Sequence, residues 1–436
     1  MNKNENQTVK IHALSHDGRG IATIQNKTTF ISGALPNEMV TYKITQKKSH
    51  YHEAEIIEIL TPSPARITPP CQHVAICGGC SLQHMSIETQ IQLKQETLID
   101  QLKHFGKVSA ESILPPLHAN AVGYRRKARL GVKFVIKKDK LLVGFREKSS
   151  RYLADLEKCV VLHPKVGEHL TDLSALIRSL DQYQHIPQIE VAIGDEDAAL
   201  IFRHLEPLTE NDQLKLIEFG KKFQFHIYLQ PNSPALVKKI WPADSLERLT
   251  YSLPDDGLAF LFHPLDFTQI NLEMNRLMVK QALTLLDIQP DETVLDLFCG
   301  IGNFTLPMAK LAQQVTGIEG SEEMVRRAED NAAHNHLSNI NFYAANLQDP
   351  PKQSVWMKTY DKILLDPPRV GAKEILPLIA NLQPRRIVYV SCNPSTLARD
   401  AGELVHQHGF FLKKVGIMNM FPHTSHIEAM AVFEKK

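Results

Sequence analysis

The pattern of hydrophobic and polar positions changes along the chain, and its first part is made of short alternating stretches. Residues 8–60 run as brief apolar segments separated by Gly, Asn and Asp turns, without a helical period. Short strands at this spacing are typical of a small β-barrel. The Pro-rich residues 61–70 then end the pattern, since proline continues neither a ladder nor a helix. The pattern predicts an N-terminal β-barrel domain over residues 1–62, antiparallel throughout.

The middle of the chain mixes strand-like and helical patterns. One amphipathic helix is predicted to begin after Ser86, as its N-cap, and to end at Gly106. Several apolar strands and short helices follow. Residues 63–257 are therefore predicted to form an α+β domain.

From residue 258 onward, short apolar strands alternate with amphipathic helices. This alternation indicates a parallel, doubly wound sheet of the Rossmann type. Ligands bind such a sheet at the carboxyl ends of its strands. The third predicted domain covers residues 258–436, and its strand ends are where chemistry is expected.

Composition narrows the class of protein. The chain has 436 residues, 43% of them hydrophobic, and no run approaching the ~20 apolar residues of a membrane span. The first residues also lack a signal peptide's apolar segment, so a cytoplasmic protein is expected, in which cysteines stay reduced. Net charge is only +1, but residues 121–151 hold eleven Lys or Arg and two acidic residues, interleaved with Tyr124, Phe134 and Phe145. This segment favours a nucleic acid, and more specifically RNA, as partner.

Three of the six cysteines cluster at the start of the middle domain. Cys71, Cys77 and Cys80 have the spacing C-x5-C-x2-C, and Cys159 can supply a fourth thiol. Such a set can hold zinc or a [4Fe-4S] cluster. The spacing differs from that of radical enzymes and from the paired spacing of zinc ribbons, so both metals stay open, with iron–sulfur preferred.

A glycine turn after the first strand of the last domain predicts a cofactor site. Gly300 and Gly302 allow a ligand to approach the backbone, but Thr305 stands where a dinucleotide fingerprint has its third glycine. Glu319 ends the next strand, where it can accept hydrogen bonds from ribose hydroxyls. Together these residues indicate S-adenosylmethionine.

Two later residues predict methyl transfer to a pyrimidine carbon. Cys392 follows an apolar strand and is turned by Asn393 and Pro394 toward the same edge as Asp366. A thiolate that adds to C6 of uracil makes C5 nucleophilic enough to accept a methyl group. The adduct then needs a base for the C5 proton, and Glu428, inside an apolar strand, is the preferred candidate. Asp366, His423 and His426 are rival bases, and Cys299 is interpreted as a packing residue.

These motifs, in this order, resemble the RNA uracil-C5 methyltransferases, and most closely the bacterial members that act on 23S ribosomal RNA. The N-terminal barrel resembles a TRAM domain. The resemblance implies Cys392 as nucleophile, Glu428 as base and a [4Fe-4S] cluster on Cys71, Cys77, Cys80 and Cys159. It further implies that cofactor contacts come from Gln269, Phe298, Asn303, Glu319, Asn346 and Asp366. Ser425 and Ala429 depart from the family pattern beside the base.

The expected function is methylation of C5 of a uridine in 23S ribosomal RNA by a monomer without an obligate protein partner. A transfer RNA uracil-C5 methyltransferase is the nearest alternative, although such enzymes generally lack the barrel and the cluster. A non-catalytic RNA-binding protein and a redox iron–sulfur protein are alternatives of other classes. The modified nucleotide is not determined by these patterns.

Overall fold

The N-terminal part of the computed structural model is a six-stranded sheet. Residues 7–233 and 236–435 are described, so the first six residues of the predicted barrel domain lie outside the described residues. The strands are β1 (Thr8–Lys10), β2 (Ala13–Leu14), β3 (Gly20–Ile24), β4 (Lys27–Ser32), β5 (Met39–Lys47) and β6 (Tyr51–Thr61). Their order is β1-β5-β6-β4-β3-β2, and Ala22, Ile31, Val40 and Ala54 lie in its core.

One pairing in this sheet differs from the prediction. β4 and β6 run parallel, whereas the other pairs are antiparallel. β5 lies on the side of β6 away from β4 and runs antiparallel to β6. β6 then returns in the same direction as β4. The predicted strands are confirmed, but the sheet is not purely antiparallel.

The first long helix begins where the sequence predicts. α1 (Ile87–Gln101) is capped by Ser86, whose Oγ accepts a hydrogen bond from the Thr89 backbone N–H at 3.3 Å. A π-helical segment (Leu102–Gly106) continues α1 and ends at the left-handed Lys107. A short strand, β7 (Ser112–Ile113), follows.

The middle of the chain forms a second six-stranded sheet with helices against it, as predicted for an α+β domain. Its elements are β8 (Lys127–Val135), β9 (Lys140–Gly144), α2 (Pro164–Gly167), α3 (Leu170–Ser179), β10 (Gln188–Ile193), β11 (Ala198–Arg203), α4 (Glu210–Phe223), β12 (His226–Gln230) and β13 (Lys238–Trp241). The order is β13-β12-β11-β10-β8-β9, and only β11 and β12 pair in parallel.

The prediction that this domain holds an iron–sulfur cluster, which was part of the predicted fold class, is wrong. Among residues 7–233 and 236–435, no group of three or more His, Cys, Asp or Glu side chains is placed to hold a metal ion.

A hairpin leads into the last domain. It consists of β14 (Leu249–Leu253) and β15 (Leu258–Phe262), and the predicted boundary at residues 257/258 falls in its turn. The hairpin shares its core with α5 (Leu272–Leu286). The division of the chain into three domains at these positions stays a prediction.

The C-terminal sheet has eight strands, mostly parallel. Its further elements are β16 (Thr293–Leu297), α6 (Thr305–Ala309), β17 (Gln314–Glu319), α7 (Glu322–His334), β18 (Ile340–Ala344), β19 (Lys362–Leu365), α8 (Leu376–Asn381), β20 (Arg386–Ser391), α9 (Pro394–His406), β21 (Phe410–Met418) and β22 (Glu428–Lys435). The order is β18-β17-β16-β19-β20-β22-β21-β7, with β22 antiparallel to both neighbours.

This sheet is buried on both faces. Successive residues of one strand alternate between two cores: Val294 lies in one with α5, and Leu295 lies in the other with α8 and α9. The strand order reverses between β16 and β19, which makes a crevice at their carboxyl ends. Within the part of the chain described, no helix has the length and apolar character needed to cross a membrane.

Candidate active site

The turn after β16 leaves open space above its backbone. Phe298, Gly300 and Gly302 all have positive φ, of 67°, 54° and 93°. The backbone N–H groups of Phe298 and Cys299 donate to the Ile318 carbonyl at 2.9 and 3.0 Å, which fixes the turn to β17. A Cβ added to Gly300 would meet nothing within 4 Å. The turn is therefore a preformed cradle against which a ligand can lie.

Glu319 is held rigidly beside this turn. Its Oε2 accepts the Gly300 N–H at 3.1 Å, and its Oε1 accepts those of Gly320 and Ser321 at 2.8 and 3.2 Å. Gly320 also faces open space. Carboxylate oxygens have further lone pairs, so Glu319 can still accept hydrogen bonds from a diol. The geometry fits the ribose contact expected for S-adenosylmethionine.

Asn303 belongs to a polar network that joins three elements. Its Oδ1 accepts from the Tyr251 hydroxyl and from Asn275 Nδ2, both at 3.0 Å, and its Nδ2 donates to Asn275 Oδ1 at 2.9 Å. Tyr251 and Asn275 also line a small cavity with Gln269. Sequence reasoning missed both partners. The available signal was Asn275, a polar residue on the buried face of α5.

Two other predicted cofactor residues lie at the same edge. Phe298 follows β16, and Asn346 follows β18, with its Oδ1 accepting the Gln348 N–H at 3.0 Å. The six predicted cofactor contacts stay proposals.

Strand register brings the predicted nucleophile and base together. β20 ends at Ser391, β22 begins at Glu428, and Ser391 pairs with Ala429 across the ladder. Cys392 and Glu428 are therefore neighbours at the carboxyl end of β20. β19 lies on the other side of β20, and Asp366 follows the end of β19. Asp366 therefore joins Cys392 and Glu428 in a group of three acidic side chains.

The three acids resist losing their protons. Burial raises the pKa of Cys392 to about 11, helped by Glu428 and Asp366, while Arg369 lowers it. Burial also raises the pKa of Glu428 to about 8 and that of Asp366 to about 7. Because each anion disfavours the others, a cation bound at this edge would lower all three pKa values.

The two rival histidines differ from Glu428 in placement. His423 is buried toward α1, where its Nδ1 lies 3.4 Å from Gln90 Nε2, and burial lowers its pKa to about 4. His426 is exposed, and its pKa is also lowered, mainly by desolvation. Neither begins the strand beside Cys392.

The four clustered cysteines line one cavity without forming a metal site. Cys71, Cys77, Cys80 and Cys159 surround it together with Arg125. Sequence spacing brought the thiols to one cavity, but it did not fix three or more side chains in a metal-holding arrangement. Burial raises the pKa of Cys77, Cys80 and Cys159, that of Cys80 to about 12. The predicted zinc or [4Fe-4S] cluster is thus not supported.

Part of the basic segment is used inside the protein. Arg126 donates to the Gly194 carbonyl, and Lys127 donates to the carbonyls of Pro264 and Asp266. Tyr124 is buried and donates to the Pro422 carbonyl at 3.0 Å, so it is not free to stack on a base. The exposed cations of the segment are Arg129, Lys133, Lys137, Lys138, Lys140, Arg146, Lys148 and Arg151. Arg129 is paired with Glu190 and Lys140 with Asp155, and the other six remain available to a polyanion.

An exposed aromatic near the cofactor residues was also missed. Phe267 is 74% exposed and stands two residues before Gln269. A single exposed Phe carries no pattern from which the sequence could have identified it. Its position makes it a candidate for stacking on an RNA base.

The chain matches two protein-family models. The model described as tRNA (uracil-5-)-methyltransferase matches residues 86–436, and the TRAM domain model matches residues 2–57. The chain therefore belongs to the tRNA (uracil-5-)-methyltransferase family, whose match includes the glycine turn and the Cys392–Glu428 edge.

Two curated relatives are similar over nearly the entire chain. Both are named 23S rRNA (uracil(1939)-C(5))-methyltransferase RlmD. The protein from Hahella chejuensis is 51% identical, over 99% of this chain and 98% of its own length. The protein from Alcanivorax borkumensis is 52% identical, over 98% of this chain and 96% of its own length.

A solved structure shares the fold over nearly all of the chain. The Pyrococcus abyssi tRNA (uracil-54, C5)-methyltransferase, in complex with S-adenosyl-L-homocysteine, aligns with a TM-score of 0.75 at 22% identity. The alignment covers 98% of this chain and 100% of the other. The TRAM domain and the methyltransferase fold expected from the sequence are both confirmed.

Proposed function

We propose that the protein transfers a methyl group from S-adenosylmethionine to C5 of a uridine in 23S ribosomal RNA. The adjacency of Cys392 and Glu428, set by the pairing of Ser391 with Ala429, is the observation that carries this proposal. The names of the two relatives that are 51% and 52% identical support ribosomal RNA as substrate and the uridine numbered 1939 as target. We further propose a cytoplasmic monomer.

The chain's own residues account for each step at the uracil ring. The Cys392 thiolate adds to C6, and the electrons of the C5–C6 double bond move to form an enolate. C5 then attacks the electrophilic methyl group that bound S-adenosylmethionine would supply, and the methyl–sulfur bond would break to leave S-adenosylhomocysteine. Glu428 then removes the remaining C5 proton, the C5–C6 double bond re-forms, and the C6–sulfur bond breaks to release Cys392.

The surroundings of the acids suit this order of events. Raised pKa values keep Cys392 and Glu428 mostly protonated, and Asp366 about half protonated, at neutral pH until a cation arrives. A sulfonium at the edge favours the thiolate, so addition is coupled to cofactor binding. We assign the cofactor contacts to Gln269, Phe298, Asn303, Glu319, Asn346 and Asp366.

The target must leave its stack to reach this edge. Extrusion of a nucleotide costs a few kcal/mol, which other contacts with the RNA must offset. The exposed cations of residues 121–151 and the TRAM domain are the surfaces to which we assign these contacts.

The substrate is tested by methyl transfer to defined RNAs. Labelled S-adenosylmethionine is incubated with the full chain and with either a 23S ribosomal RNA transcript or a transfer RNA mixture, at matched uridine concentration. We expect label in the ribosomal transcript at a single uridine, found by digestion and mass spectrometry. Label in transfer RNA alone would favour the transfer RNA alternative, and no label in either would overturn the proposal.

A further inference from the structure

Lys94 is a buried cation that the reaction described above does not use. It lies on α1 and is 1% exposed. Its Nζ donates to Asn419 Oδ1 at 2.8 Å and to the Phe421 carbonyl at 2.9 Å. Both acceptors are neutral, and no described carboxylate lies within ion-pair distance of it. A buried ammonium is costly unless an anion nearby compensates it.

The acceptors of Lys94 belong to the segment that leads to the proposed base. Residues 419–427 join β21 to β22, and Glu428 follows directly. Gln90, one helical turn before Lys94 and on the same face of α1, binds this segment as well, because its Oε1 accepts the His423 N–H at 2.8 Å. Helix α1 therefore holds the segment at successive points.

Glu428 is the anion on which Lys94 acts. Burial lowers the pKa of Lys94 to about 7, although the Glu428 carboxylate raises it. In turn, the charge of Lys94 lowers the pKa of Glu428. Other charged or titratable groups also face Glu428 or Lys94: Asp366, Arg369, Cys392, His423 and His426.

Among these groups, Arg369 also favours the Glu428 carboxylate, and it does so more strongly than Lys94. Arg369 is exposed, whereas Lys94 is buried. Solvent and salt screen an exposed charge more strongly than a buried one. The effect of Lys94 on Glu428 should therefore depend less on salt concentration than that of Arg369.

We propose that Lys94 is a positioning residue for the general base. Its side chain holds the segment before Glu428 through two hydrogen bonds, and its positive charge, where Lys94 is protonated, favours the ionised carboxylate that removes the C5 proton. This inference rests on the proposed uracil-C5 methylation.

The test uses Lys94→Met in the full chain, with Lys222→Met, an exposed lysine of α4, as matched control. Methyl transfer and tritium release from C5-tritiated 23S RNA are followed in single turnovers between pH 6 and 9. We expect Lys94→Met to slow tritium release about tenfold at pH 7, since one unit of pKa is tenfold in ionised carboxylate. The acid limb should move to higher pH, the KM for RNA should change little, and a covalent protein–RNA adduct should accumulate on denaturing gels.

Two further variants separate charge from packing. Lys94→Gln keeps a donor without the charge and should shift the acid limb as Lys94→Met does, whereas Lys94→Arg keeps the charge and should leave the limb in place. In a Glu428→Gln background, Lys94→Met should slow adduct decay no further. An unshifted acid limb in both neutral variants, or an additive loss in that background, would overturn the inference. Lack of methylation by the unmodified chain would instead reject the proposed function.

Discussion

At the carboxyl ends of β16 and β17, the polar side chains singled out by the sequence already make hydrogen bonds within the protein. Beside β19, β20 and β22, the corresponding carboxyl groups do not. Glu319 accepts three backbone N–H groups, and Asn303 makes three hydrogen bonds with Tyr251 and Asn275. The carboxylates of Asp366 and Glu428 accept no hydrogen bond from any residue in the described ranges, and burial raises the pKa of both.

The difference separates binding from chemistry. A satisfied, rigid site loses little entropy on binding, which suits a cofactor that is used in every turnover. Unsatisfied acids with raised pKa values cost stability, but they are poised to exchange protons near neutral pH. We therefore assign the first side as the cofactor half of the proposed site and the second as its reaction half. Substitutions in the two halves should therefore change different measurements.

The largest expected effect comes from replacing a cysteine in each half. Cys392→Ala removes the proposed nucleophile and should reduce methyl transfer by about 10⁴-fold or more, because the C6 adduct cannot form without the thiolate. Cys299→Ala removes a buried thiol from the cofactor turn, so it should cost about 1 kcal/mol of stability with turnover changed only a fewfold. Labelled methyl transfer and thermal unfolding measure the two effects. Comparable turnover losses in both variants would refute the division.

The next effect separates the two carboxylates of the reaction half. Glu428→Gln should slow tritium release by about 10²- to 10⁴-fold while the covalent adduct accumulates, because addition precedes proton removal. In the unmodified chain, the rate should rise with pH as Glu428, whose pKa is raised to about 8, becomes ionised. Asp366→Asn is the matched control and should not trap the adduct. Adduct accumulation in Asp366→Asn alone would make Asp366 the base.

The smallest effect is expected in the cofactor half. Asn303→Ala leaves Tyr251 and Asn275 without their shared partner, which should weaken binding of S-adenosylhomocysteine about 10- to 100-fold. The rate of the chemical step at saturating cofactor should change much less. Calorimetry and single-turnover rates measure these separately. A loss in the chemical step with unchanged affinity would contradict the assignment of Asn303 to binding.

The sequence predicted the elements of the site better than their connections. The glycine turn, Glu319 and the strand before Cys392 all follow from local patterns, since apolar runs and turn residues act over a few positions. Tyr251, Asn275 and Lys94 were missed because their roles depend on partners 28 to 327 residues away. No local pattern carries information at that range.

The four-cysteine motif shows that sequence spacing can also predict a site that the structure does not form. The sequence brought these thiols to one cavity, as the structure confirms, yet the metal site inferred from them is wrong. Loop spacing limits how far apart side chains lie, but the angles and distances of ligation depend on backbone packing across the domain.

By itself, the sequence determined the order of strands and helices, the turn that leaves space for a cofactor and the presence of a thiol and a carboxylate in the last domain. Tertiary structure decided that Cys392 and Glu428 are neighbours, because this depends on the ladder between β20 and β22. It also decided their protonation, because desolvation and neighbouring charges shift a pKa only after distant elements have packed around the group.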